Sequence, residues 1–161
     1  MPKVIDGPPQ QNKNSTSNKT NDCNCREKEK CVLDNKCKKG PVIYRANIKN
    51  ARGKTFTYIG CTEDFKKRYA NHKTSFKNEK LRYATRLSNF VWENNLEPTP
   101  EIKWSIEGFA TPYRRGGRYC DLCLSEKLTI LRELKNEQCL NKRMELNDKC
   151  VHILKHRLKN I

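Results

Sequence analysis

The chain has 161 residues, a net charge of +16 and nine cysteines. That length accommodates one domain with a modest core and a small appendage. No apolar run reaches the ~20 residues of a membrane helix, and the start lacks the apolar stretch of a secretory signal, so the expectation is an intracellular protein with no membrane partner. Excess positive charge favours a polyanionic partner, nucleic acid being the usual one, although a merely solvated cationic surface gives the same count. Residues 1–40 carry +4 of the charge and residues 41–161 the remaining +12, so it is not confined to a tail. In a reducing compartment an odd number of cysteines points to metal ligation rather than a disulfide framework.

Residues 1–22 are rich in Pro, Gln, Asn, Ser, Thr and Lys and read as a disordered leader or linker. A cysteine-rich segment, 23–40, follows. V-I-Y-R-A-N-I (42–48) is β-branched and aromatic, with Tyr44, Ala46 and Ile48 on one face; N-A-R-G-K (50–54) is a turn signal, and T-F-T-Y-I (55–59) completes a hairpin. From Glu63 to Asn78 the period becomes helical through Phe65, Tyr69, His72 and Phe76, with Thr62 as the expected N-cap. Leu87, Phe90 and Val91 mark a second helix that ends at N-N-L-E-P-T-P, and residues 101–109 alternate as a strand. A helix over 122–134 sets Leu124, Leu128 and Leu131 on one side, and a basic helix is expected over 142–158. The order predicts an α/β domain over 41–161 with a short, partly antiparallel sheet.

Cys23, Cys25, Cys31 and Cys37 supply four soft ligands within one short polar segment that cannot build a core of its own. One tetrahedral zinc reaches all four, and four thiolates leave no open position, so the role is structural. The rival is a flexible segment with unligated thiols. A second cluster combines the C-x2-C pair Cys120 and Cys123 with Cys150 and His152; the alternative is that these cysteines pack as small hydrophobes. Cys61 and Cys139 read as spare thiols.

Arg68 and His72 are four residues apart on a helix and share a face, and the Gly60 turn brings that face toward the hairpin carrying Tyr44 and Tyr58. Phosphodiester hydrolysis needs a proton acceptor, cationic donors for charge developing on phosphorus, and commonly a divalent ion. Tyr accepts a proton from water only when its pKa is lowered, as neighbouring cations would do; Arg68 offers a planar fork for phosphate oxygens. Glu126 lies beside Leu122 and Ile130 rather than on the Leu124/Leu128/Leu131 stripe, a semi-apolar place for a hard oxygen ligand. Each residue has an ordinary alternative: strand tyrosines are commonly core, and Glu126 pairs equally well with a surface cation.

V-I-Y (42–44), Y-I-G (58–60), an arginine ten residues after the second tyrosine, a glutamate on a later helix and an asparagine fifteen beyond it resemble the GIY-YIG nucleases. More closely, C-N-C-R (23–26), C-V-L-D-N-K-C (31–37), Y-I-G-C-T-E-D-F-K-K-R-Y-A-N-H-K-T-S-F (58–76), C-D-L-C-L-S-E-K (120–127) and L-N-K-R-M-E-L (140–146) resemble the endonuclease domain of Penelope-like retroelements. The likeness implies a small mixed sheet flanked by helices, Mg²⁺- or Mn²⁺-dependent nicking of DNA, structural Zn²⁺, a nuclear location, and a reverse transcriptase domain and element RNA as partners. It implies Tyr44 as general base, directly or through a water, and Tyr58 as a positioner of nucleophile or phosphate. Arg68 would stabilise phosphate charge and His72 assist proton transfer or phosphate contact. Glu126 would hold the metal and Asn141 order the site. Val42 stands where the family has its first glycine. Two other readings compete: a zinc-stabilised nucleic-acid-binding module without catalysis, and a structure-selective repair nuclease of the same fold.

Overall fold

The protein was analysed as a computed structural model that describes residues 22–114 and 116–153. The leader expected over 1–22 therefore lies, apart from Asp22, outside the described residues. β1 (Val42–Lys49) and β2 (Thr55–Thr62) form the expected hairpin, with Tyr44 directly opposite Gly60 and Ala46 opposite Tyr58. The Asn50 side chain makes the turn by accepting from the Arg52 and Lys54 amides (3.0 and 2.9 Å), and Gly53 takes the φ of +78° that a branched residue resists. β3 (Ile102–Phe109) pairs with the other side of β1, with a bulge between Ile43 and Tyr44. The sheet order is β2-β1-β3 and every pairing within it is antiparallel. That corrects the expected mixed sheet: among the described residues, parallel pairing is limited to an isolated bridge from Thr57 to Cys139 on the outer edge of β2.

Strand alternation sends side chains to two different cores. Tyr44, Ala46, Ile48 and Tyr58 pack with Trp104 of β3 against Phe65 and Phe76 of α1 (Phe65–Lys77) and Leu87, Phe90 and Val91 of α2 (Arg86–Glu93). Cys31, Leu33 and Cys37 close the same core from the N-terminal segment. Ile43 and Ile59 point the other way, onto Cys120, Leu122 and Ile130 around α3 (Asp121–Glu133). Arg45, on that second face, is held by Glu107 of β3 and by Glu133 of α3, tying strand to helix.

Two sequence readings change, and one left open is decided. Asp64, not Thr62, caps α1, its carboxylate accepting from the Lys67 amide at 3.2 Å, while the Thr62 hydroxyl accepts from the Asp64 amide. On α3 the Leu124/Leu128/Leu131 stripe is the exposed side, at 49%, 54% and 49% accessibility, because the sheet covers the Leu122/Ile130 side. The helix expected over 142–158 is instead a 3₁₀ turn, Arg143–Asn147, broken by extended backbone at Asp148. Helix resumes at 151–153, and the rest of that expectation lies outside the described residues. Among the described residues no helix is long and apolar enough to cross a membrane.

Candidate active site and cysteine clusters

Tyr44 is fully buried at the centre of β1, and α1 lays Arg68 and His72 against its hydroxyl. The Arg68 Nε donates to it at 3.1 Å, and His72 Nε2 lies 2.7 Å away. Burial, with the Arg68 charge adding to it, lowers the His72 pKa from 6.5 to about 3. The ring is therefore neutral near pH 7, and its Nε2 shares one hydrogen bond with the Tyr44 hydroxyl. Tyr58 stands next to both, its ring 6.4 Å from that of Tyr44 and 6.0 Å from that of His72, and Arg68 interacts with its hydroxyl too.

Gly60 makes this packing sterically possible. A Cβ at that position would lie 2.4 Å from the Tyr44 hydroxyl and 2.5 Å from its Cζ. The glycine of Y-I-G thus serves as clearance for the tyrosine across the hairpin rather than as a left-handed turn.

Burial pushes the Tyr44 hydroxyl up to about 12, against the opposing pull of Arg68, and raises Tyr58 well above its ordinary value. The lowering expected from nearby cations does not prevail in the protein alone, because desolvation is the larger effect. α3 brings Glu126 from the opposite layer to within electrostatic reach of both tyrosines and Arg68. Its carboxyl is raised, by burial first, while a contact from the Cys61 thiol and the Arg68 charge pull it down. Asn141 is buried behind β2, where its Oδ1 accepts from the Ile59 amide at 2.8 Å and its Nδ2 donates to the Ile59 carbonyl at 2.9 Å. It therefore fixes the backbone next to Tyr58 and meets neither tyrosine hydroxyl in these hydrogen bonds. The structure brings Tyr44, Tyr58, Arg68 and His72 together, with Glu126 in electrostatic reach of the tyrosines and Arg68, and sets Asn141 as a brace on the strand.

The ligand atoms of Cys23, Cys25, Cys31 and Cys37 all lie within 4.8 Å of one another, with Cys23–Cys37 and Cys25–Cys37 sulfurs 3.5 and 3.7 Å apart. Zn–S bonds of ~2.3 Å in a tetrahedron set sulfurs ~3.8 Å apart, so these residues can hold a metal ion such as zinc. Asp34 and Asn35, at φ 48° and 65°, fold the chain back over Cys31. Burial raises the Cys31 thiol, but backbone donors at Leu33 and Asn35 outweigh it and bring the pKa down to about 7, while burial pushes the Cys37 thiol up to about 12.

Cys120, Cys123 and Cys150 also converge within 4.8 Å and can hold a metal ion. His152 is not in that group; its Nδ1 faces Glu63 Oε1 at 3.4 Å. Cys61, which the sequence left as a spare thiol, instead contacts both Cys123 and Glu126, linking this cluster to the candidate active site. Its partners lie some sixty residues away, and no local spacing signals them. Cys139 keeps the spare role, half-buried beside Asn141. Compared with known protein families, with curated proteins and with solved structures, the chain finds no match.

Proposed function

We propose that the protein is a divalent-metal-dependent DNA endonuclease of the GIY-YIG type that nicks a phosphodiester bond. The observation that carries the reading is a tyrosine hydroxyl held by Arg68 and His72, with a half-buried carboxylate, Glu126, in electrostatic reach from another layer of the fold. Core tyrosines need no such company, and an ordinary surface glutamate is not placed where burial raises its pKa.

Each residue has a chemical task in this reading. Tyr44 accepts the proton of the attacking water, and Tyr58 positions the water or the scissile phosphate. Arg68 places its fork on the phosphate oxygens, where negative charge develops. His72, neutral and buried, holds the Tyr44 hydroxyl and offers an acceptor for its proton. Glu126 fits Mg²⁺, because a single hard carboxylate completed by substrate phosphates and water is a common Mg²⁺ arrangement and burial leaves this one in want of a cation. Bound there, the ion would supply Lewis-acid stabilisation of the leaving oxygen. The cysteine clusters would hold structural zinc. The resemblance to Penelope-like elements adds that the nick provides the 3′-hydroxyl for reverse transcription in the nucleus, with a reverse transcriptase domain and element RNA as partners.

The test is plasmid nicking in Mg²⁺ by the zinc-loaded chain and its Glu126→Ala variant, with DNA binding measured for both. The expected result is nicking by the wild type alone and binding by both. Equal nicking removes Glu126 from the site, and binding without nicking by either chain favours the non-catalytic module.

A further inference from the structure

The segment P-Y-R-R-G-G-R-Y (112–119) joins β3 to α3, and no role in the candidate active site has been given to it. Its described residues, 112–114 and 116–119, border with the first turn of α3 an open groove of about 450 Å³, lined by Pro112, Tyr113, Arg114, Arg118, Tyr119 and Leu124 among others. That volume lies within the ~300–1,000 Å³ of small-ligand sites.

Three features give the groove a chemical character. Tyr119 is 78% exposed, an aromatic face left in water. Arg114 and Arg118 form no ion pair with any carboxylate among the described residues. The loop between them is also internally bonded. The Tyr113 hydroxyl donates to the Gly117 carbonyl at 2.9 Å, the Gly117 amide to the Arg114 carbonyl at 2.9 Å, and Gly116 turns the chain at φ +82°. At its ends the Ala110 amide donates to the Pro41 carbonyl, the Thr111 amide donates to Asp121 Oδ2 at 2.8 Å, and Cys120 sits in a thiol cluster. Asp121 also lines the groove. Its Oδ2 is taken by Thr111, while among the described residues Oδ1 meets the Ser125 hydroxyl at 3.5 Å. A carboxylate there repels a phosphate but suits an exocyclic base amine.

We infer that this groove is a subsite for one unstacked nucleotide of a DNA strand, with Tyr119 as the stacking face and Arg114 and Arg118 as the phosphate contacts. Aromatic rings interleaved with arginines on a positively charged track are what single-strand binding requires, because every base has a π-face and every linkage a charge. A continuous duplex hides its base faces, so the groove selects single strands, gaps and frayed ends. The inference rests on the nucleic-acid reading above and deepens it.

The experiment uses the full zinc-loaded chain carrying Glu126→Gln and fluorescence anisotropy with a labelled mixed-sequence single strand and with its blunt duplex. Tyr119→Ala should weaken single-strand binding roughly 5- to 150-fold, the range of one base–aromatic stack, and duplex binding less than about threefold. Tyr119→Phe should restore single-strand binding. Arg118→Ala should lower the salt slope by about one on both DNAs. No loss with Tyr119→Ala, or equal loss on both DNAs, overturns the subsite; an intact DNA response together with Tyr119-dependent capture of an acidic peptide would assign the groove to a protein partner instead. The nuclease reading is scored apart, by nicking with the chain that retains Glu126. Tyr119-dependent strand binding without nicking keeps the subsite and removes the hydrolase, and nicking without it does the reverse.

Discussion

Substituting Gly60 by Ala tests whether the hairpin and the candidate active site are one packing unit. The added methyl would start 2.4 Å from the Tyr44 hydroxyl and 2.5 Å from Cζ, so ring and strand must part by more than an ångström. Tyr44 has nowhere to go. Its hydroxyl is pinned by His72 and Arg68 at 2.7 and 3.1 Å, and its ring packs edge-on against Phe65 at a centroid distance of 5.4 Å. Overpacking of this kind costs about 1–3 kcal/mol, and loss of the Tyr44–His72 hydrogen bond adds about 1 kcal/mol. For a chain of this size a total of ~2–4 kcal/mol corresponds to a Tm fall of roughly 10 °C. Thermal unfolding followed by circular dichroism on the zinc-loaded protein measures it, with nicking lost and DNA binding retained at a temperature where the variant is folded. In a Tyr44→Leu background the shorter side chain leaves room for the methyl, so Gly60→Ala should cost under about 1 kcal/mol there. A fall of less than about 2 °C in the wild-type background, or the same fall in both, would refute the clearance argument.

The two remaining predictions concern metal and pH. Chelation that strips metal from Cys23, Cys25, Cys31 and Cys37 should open residues 23–37 to limited proteolysis and lower Tm, since Leu33 and two of the thiols close the main core; an unchanged cleavage map after verified metal loss would count against it. His72 titrates at 6.5 in its ordinary state and about 3 when folded, so the unfolded chain takes the proton first. Its stabilising effect is complete above pH 6.5 and is lost as pH falls toward 3. Urea midpoints measured from pH 7 to pH 4 should therefore drop less steeply in His72→Gln than in wild type, and parallel curves would sink the assignment.

The hairpin was legible because Tyr44, Ala46 and Ile48 alternate with the pleat and N-A-R-G-K carries both Asn50 and Gly53. The Glu126 environment was legible as well, since helical spacing alone puts it beside Leu122 and Ile130. What periodicity could not decide was which of two apolar stripes on α3 faces the sheet, and Leu124, Leu128 and Leu131 are on the outside. Nor could it weigh burial against a neighbouring charge, and desolvation sends Tyr44 up where Arg68 alone would send it down. Cys61 was invisible for a different reason: a lone cysteine in a strand has no spacing, and its neighbours Cys123 and Glu126 arrive from a distant helix. The motif residues were thus easier to see than the contacts around them.

The way Asn141 is bonded has a consequence for timing. Its side-chain amide occupies both backbone groups of Ile59, and Thr57 is paired in the same way by the Gln138 carbonyl and the Leu140 amide. The outer edge of β2 is therefore finished by a segment made 82 residues later in the chain. A polypeptide emerging from the ribosome carries both tyrosines, Arg68 and Glu126 before that edge is sealed. Until then β2 is an open template for another strand, and Tyr58 sits on a backbone without its brace. Completion of the candidate site thereby waits for Asn141, which couples its assembly to the closing of an open sheet edge.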